Sequence, residues 1–451
     1  GWSLEAAEAV CANLAGARQV NPVDILDLLT ALVNKSLVVV VREPEQEARY
    51  HLLETVRQYA REKLSESGEA EAVREQHLAY FLALAERAEP EVQGADQLAW
   101  FDRLEMEHDN FRAALGWALE HGETYAEAGL RVANSLWWFW FMRASEGGEW
   151  LERALMATQA SADLVNRAKG LSRRAWVNFF VEASAVEGLA LSQTLGPAGR
   201  ESMALALLGM GAWAFYQADS AQAKTLVEKS VKLFRELGYR WGICESLTWL
   251  GMTWIAEGDY PQAVPLLEES LALARRARDS NEIGFALWQL GRVAMFREDY
   301  AQAGILMEES LAIFKALKQE GGVNFLLGDL GKAALRQGNY PRAAAHYKEA
   351  LVLNWERGYV RRSVPEGLEQ MATTATMCHQ PEQAARLFGA AEALREAGGQ
   401  ALHPYQLADY NHAMDVLRPQ LDEITLSTLW AEGRAMTAKQ AVAYALEEIP
   451  S

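Results

Sequence analysis

One spacing constrains this chain more than any other. A Leu-Gly or Met-Gly step recurs at Met210-Gly211, Leu250-Gly251, Leu290-Gly291 and Leu330-Gly331, 40 residues apart each time, and an alanine stands twelve residues after each glycine, at Ala223, Ala263, Ala303 and Ala343. Between glycine and alanine lies a turn signal: Gly258-Asp259-Tyr260, Glu298-Asp299-Tyr300 or Gly338-Asn339-Tyr340. Asp259, Asp299 and Asn339 suit a helix N-cap, with Gln262 and Gln302 three residues on completing a capping-box-like pair. Pro261 and Pro341 fall in the first helical turn, where a missing N–H is harmless. A fifth copy, shifted by one residue, runs from Leu368 through Gln380 and Ala384 to about Leu402. The pattern is a stack of helical hairpins. Glycine on one helix and alanine on the next permit close approach, while Leu247, Leu250, Leu266, Leu267, Leu271 and Leu273 form a stripe that neither helix buries alone. Such an array grows in one dimension, so 451 residues need no single oversized core.

The small-residue positions and the Asp-Tyr turn resemble the tetratricopeptide (TPR) repeat, whose period is about 34 residues; the longer period here implies longer second helices or loops. Upstream the pattern decays. Leu136-Trp137-Trp138-Phe139-Trp140 is followed by Glu146-Gly147-Gly148 and a second helix over Trp150–Leu155; Gly170 to Gly199 reads as one more hairpin, and His77 to Glu120 as further helices. Tyr405 to Glu448 supplies two or three helices as an end cap. The first 65 residues differ. Ser3 to Asn13 and Asp24 to Asn34 are helical by period, Leu37–Val41 and Arg49–Leu53 are β-rich runs joined by a charged turn around Pro44, and Thr55 to Ser65 is a helix. Helix, helix, two-stranded wing and helix is the order of a winged-helix module. The expected fold is therefore mainly α: a small winged-helix domain in 1–66, a helical linker or arm in 67–125, a right-handed α-α superhelix of TPR repeats in 126–402 with clear repeats from about 202, and capping helices in 403–451.

Charge bears on partners. The 43 Lys and Arg stand against 61 Asp and Glu, a net charge of −18, and Asp24 to Asn34 holds two aspartates and no Lys or Arg. Phosphate binding needs clustered cations, so direct nucleic-acid binding is not expected. The three cysteines, Cys11, Cys244 and Cys378, lie far apart and read as thiols of a reducing cytoplasm. The greasiest run, Val132 to Met142, is about half of what a spanning helix requires, so no membrane is expected. The chain opens without Met inside an amphipathic helix, which reads as a segment of a longer protein.

Val23–Leu29, Leu32–Val38 and Arg49–Ala60 resemble the winged-helix segment of bacterial STAND signal-transduction ATPases, and Trp100–Leu115 and Gly389–Arg395 resemble the arm and tail of their TPR-bearing members, many of them transcriptional regulators of the LuxR kind. The resemblance implies an NB-ARC-type nucleotide-binding domain upstream, an ATP/ADP switch in the longer protein and no cofactor in this chain, with the TPR superhelix as sensor and autoinhibitory arm. It also implies that His51, in Arg49-Tyr50-His51-Leu52-Leu53, touches the β-phosphate of bound ADP, as a charge-assisted imidazole contact can. Leu52 stands where the family motif carries Asp, and the plain alternative is a surface histidine on the wing. Catalysis by this chain is not expected. A P-loop needs Gly-x4-Gly-Lys-Ser/Thr; Gly328-Asp329-Leu330-Gly331-Lys332-Ala333 has the wrong glycine spacing and no hydroxyl, His403 and His412 stand alone, and no metal-ligand or Ser-His-Asp set is legible.

In TPR repeats the second, fifth, ninth and twelfth positions of each first helix point into the groove. Counted from the glycines they are Glu245, Thr248, Met252 and Ile255; Phe285, Trp288, Arg292 and Met295; and Phe325, Gly328, Lys332 and Leu335. Aromatics, methionines and two cations make an adaptable surface for a protein or small-molecule inducer; the alternative is that Phe285, Trp288 and Phe325 pack between repeats. The Lys/Asn clamp with which chaperone-adaptor TPR domains hold a C-terminal carboxylate is absent. Glu268-Glu269 and Glu308-Glu309 read as a solvated face. The expectation is a monomeric sensor arm that also contacts its own nucleotide domain, and the alternative is a stand-alone TPR scaffold.

Overall fold

Residues 1–12, 21–42, 47–143, 146–177, 182–358, 363–399 and 404–447 are described by the structure, a computed structural model. The winged-helix module follows from its local chemistry. Ser3 caps the helix Leu4–Cys11 by accepting the Ala6 N–H at 3.1 Å, Pro22 opens Pro22–Asn34, and β1 (Val38–Val41) pairs antiparallel with β2 (Arg49–Leu52). The helix Glu54–Ser67 follows. Alternation along the strands sends Val38 and Tyr50 into a small core with Ala7, Ile25 and Leu29 and leaves Val39 and Val41 exposed. The turn expected around Pro44 lies outside the described residues, as do the end of the fifth repeat copy beyond 399 and His403.

The remainder is helical hairpins, and the chain divides into two compact units, Gly1–Glu257 with Leu273–Asp279, and Gly258–Ala272 with Ser280–Ser451. The first holds the winged helix, the arm helices Ala70–Glu91, Gln97–Met106 and His108–Glu120, and the pair Arg200–Tyr216 and Ser220–Leu237. The second holds three pairs: Ser280–Phe296 with Tyr300–Ala316, Glu320–Arg336 with Tyr340–Glu356, and Ser363–Met377 with Pro381–Ala397. The 40-residue rule has a steric cause. A Cβ added at Gly211, Gly291 or Gly331 would lie 2.5, 2.7 or 2.3 Å from Val227, Met307 or Tyr347 on the paired helix, and Ala223, Ala263, Ala303 and Ala343 are fully buried.

The turns are as regular. Asp219, Asp259, Asp299 and Asn339 accept the backbone N–H three residues on, at 3.0 to 3.3 Å, so each expected Gln partner contributes its backbone N–H. A full reciprocal capping box is recorded at Thr437 and Gln440. The residue before each cap is left-handed: Ala218, Gly258, Glu298 and Gly338 have φ of 61°, 77°, 64° and 74°. Glycine takes that conformation freely, whereas Glu298 pays roughly 1 kcal/mol for it.

A hydroxyl clip also repeats. Ser230 donates to the Ala204 carbonyl at 2.8 Å and Ser310 to that of Gly284 at 2.7 Å, each joining the two helices of a hairpin. Where Ala350 stands at this position, Asn354 donates to Asn324 at 3.0 Å.

The tail forms three helices, Pro404–Leu417, Glu423–Arg434 and Ala438–Leu446, and the Gly389–Arg395 segment is their seat. A Cβ at Gly389 would lie 2.3 Å from the Trp430 carbonyl oxygen, and one at Gly433 2.0 Å from that of Arg386, so these helices touch backbone to backbone. Glu392 accepts from Trp430 Nε1 at 2.7 Å and from Arg434 at 2.5 Å.

Candidate functional site

Three places gather the residues singled out by sequence. The first is the junction of wing and arm. Tyr50 points into the core, so Arg49 and His51 share the opposite face of β2. Arg49 ion-pairs with Glu107, which is 5% exposed, and donates to the carbonyls of Gly1 and Met106 at 2.9 and 3.0 Å. Asn110 donates to the same Gly1 carbonyl at 2.9 Å and to Glu107 at 2.5 Å. Phe111 and Leu115 enter the core, and Arg112 holds Glu146 through a two-pronged contact at 2.8 Å per prong. Partial burial works against ionisation of Glu146, yet the Arg112 guanidinium holds its carboxyl below the usual range. From the first helix of the winged-helix module, Glu5 bridges Arg87 at 3.1 Å and Arg103 at 2.7 Å. The arm segment is thus a fastener between the winged helix and the helices that follow. The His51 ring is half-buried against Gly1; burial, with Arg49 nearby, pushes its pKa down.

The second place, within the first unit, is closed. Glu245, Thr248 and Ile255 are 8%, 2% and 5% exposed and Met252 is half-buried; Trp249 Nε1 donates to Glu245 at 3.0 Å. The Trp-rich helix supplies core. Trp137, Trp138 and Trp241 lie 5.1 to 5.2 Å apart, ring centre to ring centre. Beside them is a buried cation that sequence reasoning did not single out: Arg173 donates to the Asn134 carbonyl at 2.8 Å and pairs with Glu89 and Glu201 at 2.5 and 3.3 Å.

The third place, within the second unit, is open. Phe285 packs against Phe314 at 5.0 Å, and Trp288 stacks on Phe325 at 6.2 Å with 24° between the rings. Trp288 Nε1 donates to Asp329 at 2.8 Å; the Arg292 guanidinium stands 4.0 Å from the same carboxylate, donates to Gln289 at 3.0 Å and lies over the Phe296 ring. Phe285, Trp288, Arg292 and Met295 are therefore half-buried and partly consumed in building the surface, whereas Phe325 is 66% exposed. Phe325, Gly328 and Lys332 follow one another along one helix face. Gly328 faces Gln370, and Lys332 opens onto a cleft whose other lining residues are Glu366, Glu369, Gln370, Thr373, Phe388, Asp409 and Tyr410. Glu369 pairs with Arg395, and Asp409 with Arg336 at 2.6 Å. Burial raises the Tyr410 pKa, with Glu392 adding to it. Asp329 and Glu366 were not singled out because neither occupies a counted groove position. The cleft draws on four helices between 320 and 417, which no local spacing reveals.

Residues 7–65 match the winged helix-turn-helix domain model, and residues 242–316 and 282–353 match the tetratricopeptide repeat model. Proteins of Mycobacterium bovis and Mycobacterium tuberculosis named as HTH-type transcriptional regulators are 33% identical to this chain over 267 residues, covering 56% of it and 29% of their own length. The chain thus spans under a third of these relatives. Among solved structures, a STAND protein with a tetratricopeptide repeat sensor from Pyrococcus horikoshii overlays 95% of this chain and 62% of its own with a TM-score of 0.58 at 14% identity, a likeness of fold. A winged helix followed by TPR-type helical repeats is therefore the architecture. Among the described residues no helix is long and apolar enough to cross a membrane, and no group of three or more His, Cys, Asp or Glu is placed to hold a metal ion.

Proposed function

We propose that this chain is the sensing and inhibitory arm of a STAND-type signalling ATPase, in which a partner docked on the helical repeats controls a nucleotide switch domain of NB-ARC type lying upstream. The observation that carries this reading is the open surface of the second unit, where Trp288, itself held by Asp329, stacks on a two-thirds exposed Phe325 near a small, mostly apolar cleft. An exposed aromatic held on a packed platform beside an apolar cleft is the usual make-up of a docking site.

The winged helix supports the other half of the proposal. Val23, Leu26, Leu28 and Leu32 of Pro22–Asn34 are exposed, as are Val39 and Val41 of β1, and two aspartates stand where a DNA-reading helix would carry cations. Such an apolar face suits a protein neighbour, in this reading the nucleotide domain. β2 then has two roles. Arg49 ties it to the arm, and His51, two residues on, contacts the β-phosphate of bound ADP, so nucleotide state and arm position are read by one short strand. A ligand shifts such a switch only through unequal affinity for its closed and open forms, with coupling typically about 1 to 3 kcal/mol.

The reading is tested in the longer protein by Phe325→Ala. The concentration of inducer needed for activation should rise about tenfold, the usual consequence of losing one anchor worth roughly 1.4 kcal/mol, with ADP affinity measured alongside to separate lost sensing from lost folding. An unaltered response would move sensing away from this surface. A partner that binds through Phe325 without altering nucleotide affinity would favour the plain scaffold.

A further inference from the structure

Arg173, in the first unit, ties together the ends of three other helices. Its guanidinium, in a side chain 3% exposed, donates to the Asn134 carbonyl in the last turn of Glu123–Ser135, pairs with Glu201 in the first turn of Arg200–Tyr216, and holds Glu89 in the last turn of the arm helix Ala70–Glu91. It also lies over the Trp137 ring, 5.6 Å from its centre. Burial alone would lower its pKa, but Glu89 and Glu201 raise it, so the cation is permanent.

The end of the arm helix is intrinsically weak. Glu89 and Glu91 put negative charge at a helix C-terminus, where the macrodipole already concentrates it, and that turn holds no basic residue. Pro90, between them, has no N–H to give the Glu86 carbonyl. Around the cation, unanswered donors outnumber unanswered acceptors. The Gln93 amide nitrogen and the indole nitrogens of Trp137 and Trp241 are buried with no hydrogen-bond partner among the described residues, whereas Asn134 Oδ1, an acceptor likewise left over, lies against Gly170. Gln93 accepts from the Tyr239 hydroxyl at 2.8 Å, and the Trp241 ring stands 5.1 Å from that of Trp137 and 5.8 Å from that of Tyr239, centre to centre. Buried donors are nearly always answered, so the site is short of acceptors. Glu89 and Glu201 keep 29% and 38% of their side chains exposed, and Lys169, 3.5 Å from Glu201, keeps 30%, so the carboxylate side of the cation is reached from solvent.

We infer that the last turn of the arm helix is a latch and that a small organic acid opens it, its carboxylate taking the place of Glu89 on Arg173 and accepting from the donors that Glu89 leaves unanswered. The planar guanidinium receives a carboxylate on two prongs, and Lys169 at the mouth favours the entry of an anion. Glu89, released to water, no longer offsets the charge of its turn, which unwinds and loosens the arm from the repeats. The acid acts because it binds the open latch and not the closed one. This latch is independent of docking at Phe325.

The test uses the intact chain, with sodium benzoate, sodium acetate or sodium phosphate replacing sodium chloride at fixed ionic strength. Saturation-transfer NMR on benzoate reads binding, and hydrogen exchange over residues 84–97 reads opening. Benzoate and acetate should speed exchange there about tenfold, saturably, and leave Ser280–Phe296 unchanged. Glu89→Gln removes the competing carboxylate, so it should exchange faster before any acid is added and bind benzoate about tenfold more tightly. Arg173→Met, checked for folding by circular dichroism, should lose the benzoate signal; if it does not fold, Glu89→Gln decides. Benzoate that binds without speeding exchange overturns the latch, as does no binding of benzoate to either the unaltered chain or Glu89→Gln. Equal acceleration in Arg173→Met is a salt effect and overturns it too. Opening by phosphate as strong as that by the acids overturns the carboxylate assignment.

Discussion

Gly331→Leu is expected to lower the stability of the chain by about 2 to 3 kcal/mol, read as a drop in the thermal or urea midpoint. Overpacking a tight helix contact costs up to about 3 kcal/mol, occasionally more, and better helix propensity returns at most roughly 1 kcal/mol of that. The site leaves little room for relief: the new Cβ alone would stand 2.3 Å from the Tyr347 ring, which is 1% exposed and stiff. The same substitution at Gly291 meets the Met307 side chain at 2.7 Å, and an unbranched thioether can swing aside. Gly291→Leu should therefore cost less. Equal losses at the two positions would show that the repeat tolerates separation of its helices and that the 40-residue glycine rule has another cause.

Arg49→Ala should be as damaging, at about 3 kcal/mol or more. It strands the Glu107 carboxylate, 5% exposed, with Asn110 as its remaining side-chain donor among the described residues, and breaking a buried ion pair from one side costs about 3 to 5 kcal/mol. The loss should be local, appearing as faster hydrogen exchange in β1 and β2. Combining Arg49→Met with Glu107→Leu removes both charges and should recover most of the stability, because an apolar pair of similar volume is close to neutral at such sites. If Arg49→Ala is silent, wing and arm are held by apolar packing, and β2 is not the link proposed between nucleotide and arm.

Much of this architecture was legible because its determinants are local and periodic. The caps at Asp259, Asp299 and Asn339, the glycine–alanine contacts and the wing strands all sit within a few residues of the positions the spacing predicts. Residue type hid the rest. Ser230 and Ser310 also lie on the 40-residue period, but a serine inside a helix carries no sign of whether its hydroxyl reaches across to a neighbouring carbonyl. The arm and tail segments were legible as resemblances, and only the structure explains them: Glu107, Asn110 and Arg112 are fasteners, and Gly389 with Glu392 seats the end cap. Counting groove positions picks out Phe325, which is exposed, and equally Glu245 and Thr248, which are buried. Position on a helix face fixes direction, while depth depends on what the next elements bring. Glu366 stands 41 residues after Phe325, the offset of the fifth copy, so the same count carried one copy further reaches it, whereas Tyr410 lies on a helix outside the repeats.

Inhibition by the helical repeats is the central claim, and nucleotide exchange tests it most directly. Release of a fluorescent ADP analogue would be measured from the longer protein carrying the proposed nucleotide domain and from the same protein ended after residue 125, which keeps the winged helix and removes the repeats. Coupling of 1 to 3 kcal/mol predicts release about 5- to 150-fold faster from the shortened protein. Equal or slower release would contradict the account.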